Sequence, residues 1–308
     1  MRQLVRITTA CAAFALGATL STTAGAESRA LAVAKAALPA GLLAVAGFDV
    51  GELRASKLPE ILLPQLLAKA GLGAHDAKSV RGVCAIDPIN QIDSAVAGMD
   101  AHAKGVVIVA FKGTTRGDVD ACFRKLAQGS GKTVTLTAKG DLTVFAGIAP
   151  TNVYVRWLAM DVLAIADSPG DKALLTAMTS GGLAGDKAMA PLLAGSTTDS
   201  AFWALVAKSG PLPELGATLV RAYASADAKA GNLATEVHLV LDSAKAASAA
   251  VAKAKQLLAS TKKAGKVPPD LAGALAAVTL GSVGAELVGR ATMPAATFAK
   301  ALGGVLPR

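Results

Sequence analysis

Apolar residues recur with two different spacings in the first half of the chain. Alternating or continuous apolar runs predict strands over residues 41–50, 79–86, 92–99 and 105–111. Apolar positions three or four residues apart predict helices over residues 31–37, 58–67 and 118–127. In the last of these helices Cys122 falls on the apolar face, so we expect its side chain to point toward a core.

Short hairpins follow from residue 133 onward. Residues 133–147 predict two strands around Lys139–Gly140–Asp141, and residues 152–167 predict two more around Ala159–Met160. Strands joined by such short connections pair antiparallel. The pattern therefore predicts an α+β fold, with antiparallel sheets and helices packed on one face.

The second half of the sequence repeats the order of elements of the first. The pattern A-x-x-D-A-x-A occurs at Ala97–Ala103 and again at Ala224–Ala230, and a helix and a V-T-L hairpin are predicted after each. We interpret this order as an internal duplication of a strand-turn-strand-helix-hairpin module, with chance agreement in Ala-rich sequence as the alternative.

The Gly-rich stretch SGGLAGDK predicts the boundary between the two halves. The first α+β half then spans residues 27–182 and the second spans residues 183–308. A loop inside a single domain would have the same composition.

Residues 1–26 have the three parts of a secretory signal peptide. Arg2 and Arg6 precede a short apolar run, and Ala24–Gly25–Ala26 ends it with small residues. Cys11 lies inside the apolar run, too early for lipid attachment. We expect a secreted protein that begins near Glu27 and resides in the periplasm or outside the cell.

The composition predicts which residue types build the core and what charge the surface of the exported chain carries. Apolar residues make up 53% and aromatic residues 4%, so the core must be built from Ala, Val and Leu. The formal net charge is +9, and loss of Arg2 and Arg6 with the leader leaves +7. The basic stretch 245–266 lacks interleaved aromatic residues, so the charge favours an anionic envelope surface over nucleic acid. No transmembrane segment is expected in the mature chain.

No motif in the sequence predicts a catalytic, cofactor-binding or metal-binding residue. The P-loop-like stretch 127–133 has a helix before it and a strand after it, the reverse of the required order. The three histidines, His75, His102 and His238, lack zinc-ligand spacing and are expected on the surface. Asp118 is expected to be the N-cap of the helix that follows it.

Three aromatic residues are candidates for a ligand groove. Trp157, Phe202 and Trp203 stand out in a chain this poor in aromatic residues. Core anchors are the alternative interpretation.

Cys84 and Cys122 are the two cysteines that remain after removal of the leader. In an oxidising compartment they are expected to form a disulfide bond, between a predicted strand and a predicted helix. Two buried thiols, or redox or metal chemistry, are the alternatives.

Three short motifs carry a resemblance to known proteins. The C-A-I-D-P motif at Cys84–Pro88, the D-A-C motif at Asp120–Cys122 and the V-T-L hairpin resemble a loose group of uncharacterised Ala-rich exported proteins and lipoproteins of Gram-negative bacteria. The resemblance implies export and a two-part α+β fold, and it supplies no catalytic residue. The present chain departs from the group in lacking a usable lipobox.

These observations predict an exported, non-enzymatic binding or structural protein of the cell envelope. Its partner would be an envelope component, bound through the concave or edge surface of the sheets. A periplasmic carrier of lipid or another apolar molecule is one alternative. A secreted hydrolase is another, because the members of a catalytic triad are distant in sequence.

Overall fold

The structure is a computed structural model of the 308-residue chain. It describes residues 27–54, 84, 88–102, 104–129, 135–139, 142–146, 152–166, 175, 176, 178, 182–194, 196–229, 231–263, 275–294, 296 and 297. The predicted leader, the predicted helix over 58–67 and His75 lie outside these residues. So does most of the predicted strand over 79–86.

The described residues form six α-helices and thirteen strands. The helices are α1 (Arg29–Ala37), α2 (Val50–Arg54), α3 (Pro88–Gln91), α4 (Arg116–Gly129), α5 (Ala190–Leu193) and α6 (Ala244–Lys263). The strands are β1 (Ala44–Asp49), β2 (Ile92–Met99), β3 (Gly105–Phe111), β4 (Thr135–Lys139), β5 (Leu142–Ala146), β6 (Val153–Ala159), β7 (Val162–Ala166), β8 (Phe202–Val206), β9 (Gly210–Leu212), β10 (Ala217–Lys229), β11 (Asn232–Leu241), β12 (Thr279–Val283) and β13 (Glu286–Pro294). Short 3₁₀ turns occupy Leu183–Gly185 and Ser196–Asp199.

The described chain divides into two compact units, with the change between Ala190 and Pro191. Of the described residues, the first unit takes those within 27–51 and 84–190, and the second takes 52–54 and those within 191–297. The first unit has the strand order β1-β2-β3-β7-β6-β5-β4. The second has the order β12-β13-β11-β10-β8, with β9 beside β10. Neighbouring strands within each unit pair antiparallel, which confirms the predicted α+β class.

The core of the first unit follows from alternation along its central strands. In β3, Val106, Ile108 and Ala110 are buried on one face; on the other face Val109 is buried and Val107 is exposed. Helix α1 packs against β2, and the backbone N–H of Ala30 donates to Ser94 Oγ at 3.1 Å. The small apolar residues predicted from composition therefore do build this core.

The second unit has a different residue pattern on each face of its sheet. Leu233, Thr235 and Val237 of β11 are buried, and Glu236 and His238 alternate with them on the other face. Helix α6 covers part of the buried face, where Ala247, Ala250 and Val251 pack with Leu241 and Leu287. Helix α6 thus lies on one face of an antiparallel sheet. In the first unit the prediction of helices on one face needs correction, because Ser94 of β2 contacts α1 whereas Ala95, its neighbour on the opposite face, packs with Val119 and Cys122 of α4.

Two local predictions need correction. Cys84 has helical backbone, not the predicted strand conformation, and Pro88 just after it begins α3. Helix α4 begins at Arg116, so Asp118 is its third residue and not its N-cap. Thr115 precedes the helix, its Oγ1 accepts from the Asp118 N–H at 3.4 Å, and the Asp118 carboxylate accepts from the Thr115 N–H at 2.8 Å. This reciprocal arrangement is a capping box.

The two units share one pairing around their main helices, α4 and α6. In each unit, the last strand after the helix pairs with the strand just before the helix: β7 with β3, and β13 with β11. The first unit has two more strands than the second between the helix and this last strand. The strand pairing therefore matches β12 with β6. The V-T-L motif in the sequence had matched β12 with β4 instead. The internal duplication itself stays a prediction.

Candidate functional site

The three predicted groove residues lie in different units. Phe202 and Trp203 are both on β8 of the second unit and are buried, with Trp203 only 2% exposed. Their burial matches the core-anchor alternative. Trp157 is on β6 of the first unit and is partly buried. Among the three, Trp157 is the one that lines a surface depression.

An open depression of about 470 Å³ lies beside Trp157. One wall is the start of α4, at Thr115, Arg116 and Gly117, and the other is the end of β6 and its turn, from Trp157 to Met160. Its volume falls in the range of small-molecule sites. We call it the Trp157 depression.

The Trp157 depression combines a cation, an aromatic face and apolar surface. The guanidinium carbon of Arg116 lies 6.0 Å from the centroid of the Trp157 ring, and half of the Arg116 side chain is exposed. The indole N–H of Trp157 is buried and has no hydrogen-bond acceptor among the described residues. Met160, at the tip of the β6–β7 hairpin, is 84% exposed. The depression is therefore suited to a molecule with an anionic or acceptor group and an apolar body.

Both walls of the depression are held by local hydrogen bonds. The capping box sets the start of α4, and the hydrogen bond from the Thr115 backbone lowers the pKa of Asp118. On the other wall, Asp161 in the hairpin turn makes a 2.5 Å ion pair with Arg29, and its backbone carbonyl accepts from the Phe111 N–H at 2.9 Å. These contacts hold the depression in shape without a ligand.

The disulfide bond closes the core beneath α4. Cys84 and Cys122 are paired as predicted, with their Cα atoms 4.4 Å apart. Both residues are buried and belong to the cluster that contains Phe145, Val155 and Leu163. Trp157 packs against the same cluster, so the bond supports the layer on which the Trp157 depression is built.

A second polar group of side chains lies on the open face of the second unit. We call it the His238 cluster, and its members are Tyr223, Glu236, His238, Glu286 and Arg290. His238 Nδ1 lies 2.8 Å from Glu286 Oε2, and His238 Nε2 lies 2.8 Å from Glu236 Oε1. The Tyr223 hydroxyl donates to Glu286 at 2.9 Å, and Arg290 Nη2 donates to Glu236 at 2.5 Å.

The electrostatics of the His238 cluster follow from burial and charge pairing. Burial alone would raise the pKa of Glu236, but the hydrogen bond from Arg290 and the charge of His238 outweigh it, and the pKa is lowered. Burial and the hydrogen bond to Glu286 raise the pKa of Tyr223. With both nitrogens engaged, the cluster is a closed polar network that joins three strands.

Sequence reasoning missed this cluster. It predicted His238 on the surface, whereas 18% of that side chain is exposed. The alternation along β11 placed Glu236 and His238 on one face, which was the available signal. The pairing of β11 with β13, which brings in Glu286 and Arg290, has no local signature.

His102, the other histidine that the structure describes, is exposed and lies in a turn. Its backbone N–H donates to Asp100 Oδ1 at 2.8 Å. Within the described ranges, no group of three or more His, Cys, Asp or Glu side chains is arranged to hold a metal ion. No helix in the same ranges is both long enough and apolar enough to cross a bilayer.

Comparison with known proteins shows a likeness in fold. No model of a protein family matches the chain, and no curated protein sequence matches it. The structure of crystal form I of TP0453 is similar, with a TM-score of 0.54 at 12% sequence identity, over 90% of this chain and 97% of that chain. Crystal form III of TP0453 gives a TM-score of 0.54 at 12% identity, over 92% of this chain and 100% of that chain. At this identity the likeness concerns the α+β fold alone.

Proposed function

We propose that the protein is an exported, non-enzymatic binding protein of the cell envelope and that the Trp157 depression is its ligand site. The observation that carries the proposal is the Arg116 guanidinium above the Trp157 ring, at the wall of an open depression. A charged group and an aromatic face that converge in one concavity are typical of ligand sites.

The chemistry of the depression favours an anionic amphiphile. Arg116, whose Nε lies 3.7 Å from Asp120 Oδ2, supplies a positive charge, and Leu158 and Met160 supply apolar contact beside the Trp157 ring. A carboxylate or phosphate would pair with the guanidinium, while an acyl or similar chain would cover the exposed Met160 side chain. The net charge of the whole chain is positive, which also favours a negatively charged ligand.

Export is part of the proposal and rests on two features. Residues 1–26 are typical of a secretory signal peptide. The Cys84–Cys122 disulfide is a bond that persists in oxidising compartments. Fractionation of cells and N-terminal sequencing test it: a mature chain that starts near Glu27 in the periplasm or the medium is expected, and a full-length cytoplasmic chain would refute export.

Tryptophan fluorescence tests ligand binding, because Trp157 and Trp203 are the only two tryptophans and Trp203 is in the core. We expect decanoate, below its micelle concentration, to change the emission saturably. Decyltrimethylammonium has the same chain and the opposite charge, and acetate has the charge without the chain. Both should give no saturable change.

Matched variants assign the fluorescence response to the site. The Arg116→Gln variant should weaken decanoate binding by about tenfold, a loss of about 1.4 kcal/mol. Arg124→Gln removes an exposed arginine elsewhere on α4 and should leave binding unchanged. Equal binding by wild type and Arg116→Gln would refute the site.

The carrier alternative is favoured by the apolar part of the lining, Trp157, Leu158 and Met160. A carrier keeps its cargo during purification. Native mass spectrometry of the protein from its source membrane fraction would then show a bound lipid, and Arg116→Gln would lose it. A ligand-free spectrum would leave reversible binding as the function.

A further inference from the structure

Strand β12 forms an open edge of the sheet in the second unit. It pairs with β13 on one side, and no strand of the described chain pairs with its other side. Four of its five residues are exposed, and Val283 is 67% exposed. An edge of this kind presents backbone N–H and C=O groups that can hydrogen-bond to another strand.

The hairpin turn determines which backbone groups face the open edge. Gly284 and Ala285 form a two-residue connection between Val283 and Glu286, and Gly284 has a φ of 57°. In hairpins of this length the flanking residues form a hydrogen-bonded pair, and the pairing alternates along the strand. The N–H and C=O groups of Leu280 and Ser282 are therefore directed away from β13.

The edge lacks the features that proteins use to block strand addition. Natural edge strands are commonly protected by a lysine, another charge, a proline or a bulge. Residues Thr279–Val283 read TLGSV, without a charge or a proline, and their register with β13 is continuous. The open edge is thus competent to accept a strand.

Helix α6 lines one side of this edge. Ser248 Oγ of α6 lies 3.5 Å from Ser282 Oγ of β12, and Leu280 packs into the core beneath the helix. The open edge and the neighbouring helix therefore form one continuous surface, which we call the β12–α6 groove. Grooves between an edge strand and a helix are a recurring way to bind an extended peptide.

The charge along the groove is positive. Lys245 lies three positions before Ser248 and Lys255 lies seven positions after it, so both share its stripe on the helix. Both are exposed, and neither α6 nor β12 contains an aspartate or a glutamate. An extended segment with acidic side chains complements this surface.

We propose that the β12–α6 groove binds an extended acidic segment of a partner protein, which adds to the sheet as a strand beside β12. Backbone hydrogen bonds with Leu280 and Ser282 hold the segment, and Lys245 and Lys255 select its acidic side chains. A second copy of this chain at the same edge would bring two lysine stripes together, so like charges oppose it. The site lies in the second unit, goes beyond the Trp157 depression and does not depend on it.

Selection from a display library of short random peptides tests the proposal, with the full-length oxidised protein as bait. We expect the enriched peptides to carry Asp or Glu at alternate positions, because successive side chains of a strand point to opposite faces. Labelled versions should bind saturably in fluorescence anisotropy, and added salt should weaken the binding. A selection without acidic enrichment would refute the proposal.

Three variants assign the binding to the groove. Ser282→Pro removes an outward N–H without removing a hydrogen bond to β13, and should weaken binding by roughly tenfold or more. Lys245→Glu combined with Lys255→Glu should weaken it to a similar extent. Lys253→Glu makes the charge change of one of these two substitutions on another face of α6, beside Gly216, and should change binding by less than about twofold.

The variants remain decisive if one of them is unstable. Should Ser282→Pro melt early, the double lysine variant and its Lys253→Glu control still decide, since they alter exposed side chains only. Equal binding by Lys245→Glu/Lys255→Glu and by Lys253→Glu would refute the proposal. A concentration-dependent dimer in sedimentation that Ser282→Pro abolishes would instead identify a second copy as the occupant.

Discussion

Tyr223 and His238 stack across the neighbouring strands β10 and β11, with ring centroids 4.3 Å apart and ring planes 11° apart. They are direct partners in the register of the two strands. The stack holds the imidazole edge-on to Glu236 and Glu286, whose carboxylate oxygens each lie 2.8 Å from one of its two nitrogens. A slip of one residue in this register would turn Glu236 and His238 to the opposite face of β11. The cluster therefore forms only when the strands pair in this register.

Glu236→Gln should make stability less sensitive to acid. The pKa of Glu236 is lowered in the folded state. Its contribution to the free energy of unfolding is therefore fully present above the ordinary carboxyl pKa of about 4.3, and it is lost as the pH falls through the pKa of Glu236 in the folded protein. We expect the variant to lose about 1–2 kcal/mol near neutral pH. Urea unfolding near pH 7 and near pH 3 measures the difference between wild type and variant, which should shrink in acid.

Glu214→Gln is the matched control for that experiment, since Glu214 is an exposed carboxylate in the loop before β10. It should unfold like the wild type at both pH values. A difference between wild type and Glu236→Gln that is the same at both pH values would contradict the prediction.

Reduction of the disulfide should lower the melting temperature. Cys84 and Cys122 are 38 residues apart in sequence, and on the chain-entropy model such a closure contributes about 4 kcal/mol. Calorimetry with and without dithiothreitol measures the change. The double variant Cys84→Ser/Cys122→Ser should melt like the reduced protein and not respond to the reductant. Two titratable thiols in the untreated protein would contradict the pairing.

Asp186→Ala should destabilise the first unit. The Asp186 carboxylate accepts from the backbone N–H groups of Gly41, Ala188 and Met189 at 2.7, 2.8 and 3.0 Å. These hydrogen bonds, with that from Gly41 the largest, lower its pKa. Loss of a carboxylate that accepts three backbone groups should cost about 2–3 kcal/mol in urea unfolding at neutral pH.

Asp186, like Glu236, has a lowered pKa in the folded protein. Its contribution to the free energy of unfolding is therefore also lost as the pH falls below the ordinary carboxyl range. Asp186→Asn keeps one acceptor oxygen and should lie between wild type and Asp186→Ala. Lys187→Ala, at the exposed neighbouring position, serves as the control and should have little effect. Full stability of Asp186→Ala would show that the Gly41 contact does not matter.

Thr115→Val should shorten α4 at its first turn. The hydroxyl oxygen of Thr115 accepts from the Asp118 N–H, and N-cap residues of this kind contribute about 1 kcal/mol. Thr115→Ser keeps the hydroxyl and should be close to wild type. Hydrogen exchange of the amides of Asp118 and Val119 measures the effect, which should be faster in the valine variant alone. Equal exchange rates in both variants would contradict the capping box.

Strands with a local signature could be predicted closely from the sequence. The predicted limits of β2 and β3 agree with the structure at both ends, and the hairpins around Gly140 and Met160 are present. Alternation and short turns are properties of neighbouring residues, so they are readable without tertiary contacts. The Cys84–Cys122 pairing was also accessible, because the count of cysteines and the leader constrain it.

Two predictions failed for different reasons. Cys84 has helical backbone in a short segment that is bonded to the distant Cys122, and short segments are strongly influenced by what they pack against. Thr115 was missed as the N-cap although its partner Asp118 is only three residues away, because the end of a helix is difficult to place from sequence to within one or two residues. Neither the depression between Arg116 and Trp157 nor the lysine stripe beside β12 has a sequence motif. Each exists because elements far apart in the chain lie side by side.

By itself, then, the sequence determined the class of fold, the places of most described strands and the candidate disulfide, because these follow from local periodicity and composition. Only the tertiary structure decided that β7 pairs with β3 and β13 with β11. The pairing of β11 with β13 brings Glu286 beside His238. Pairing between strands that a helix separates in sequence depends on the packing of whole faces, which no local pattern specifies. For the same reason, the edge left open at β12 became visible only once the strand order was known.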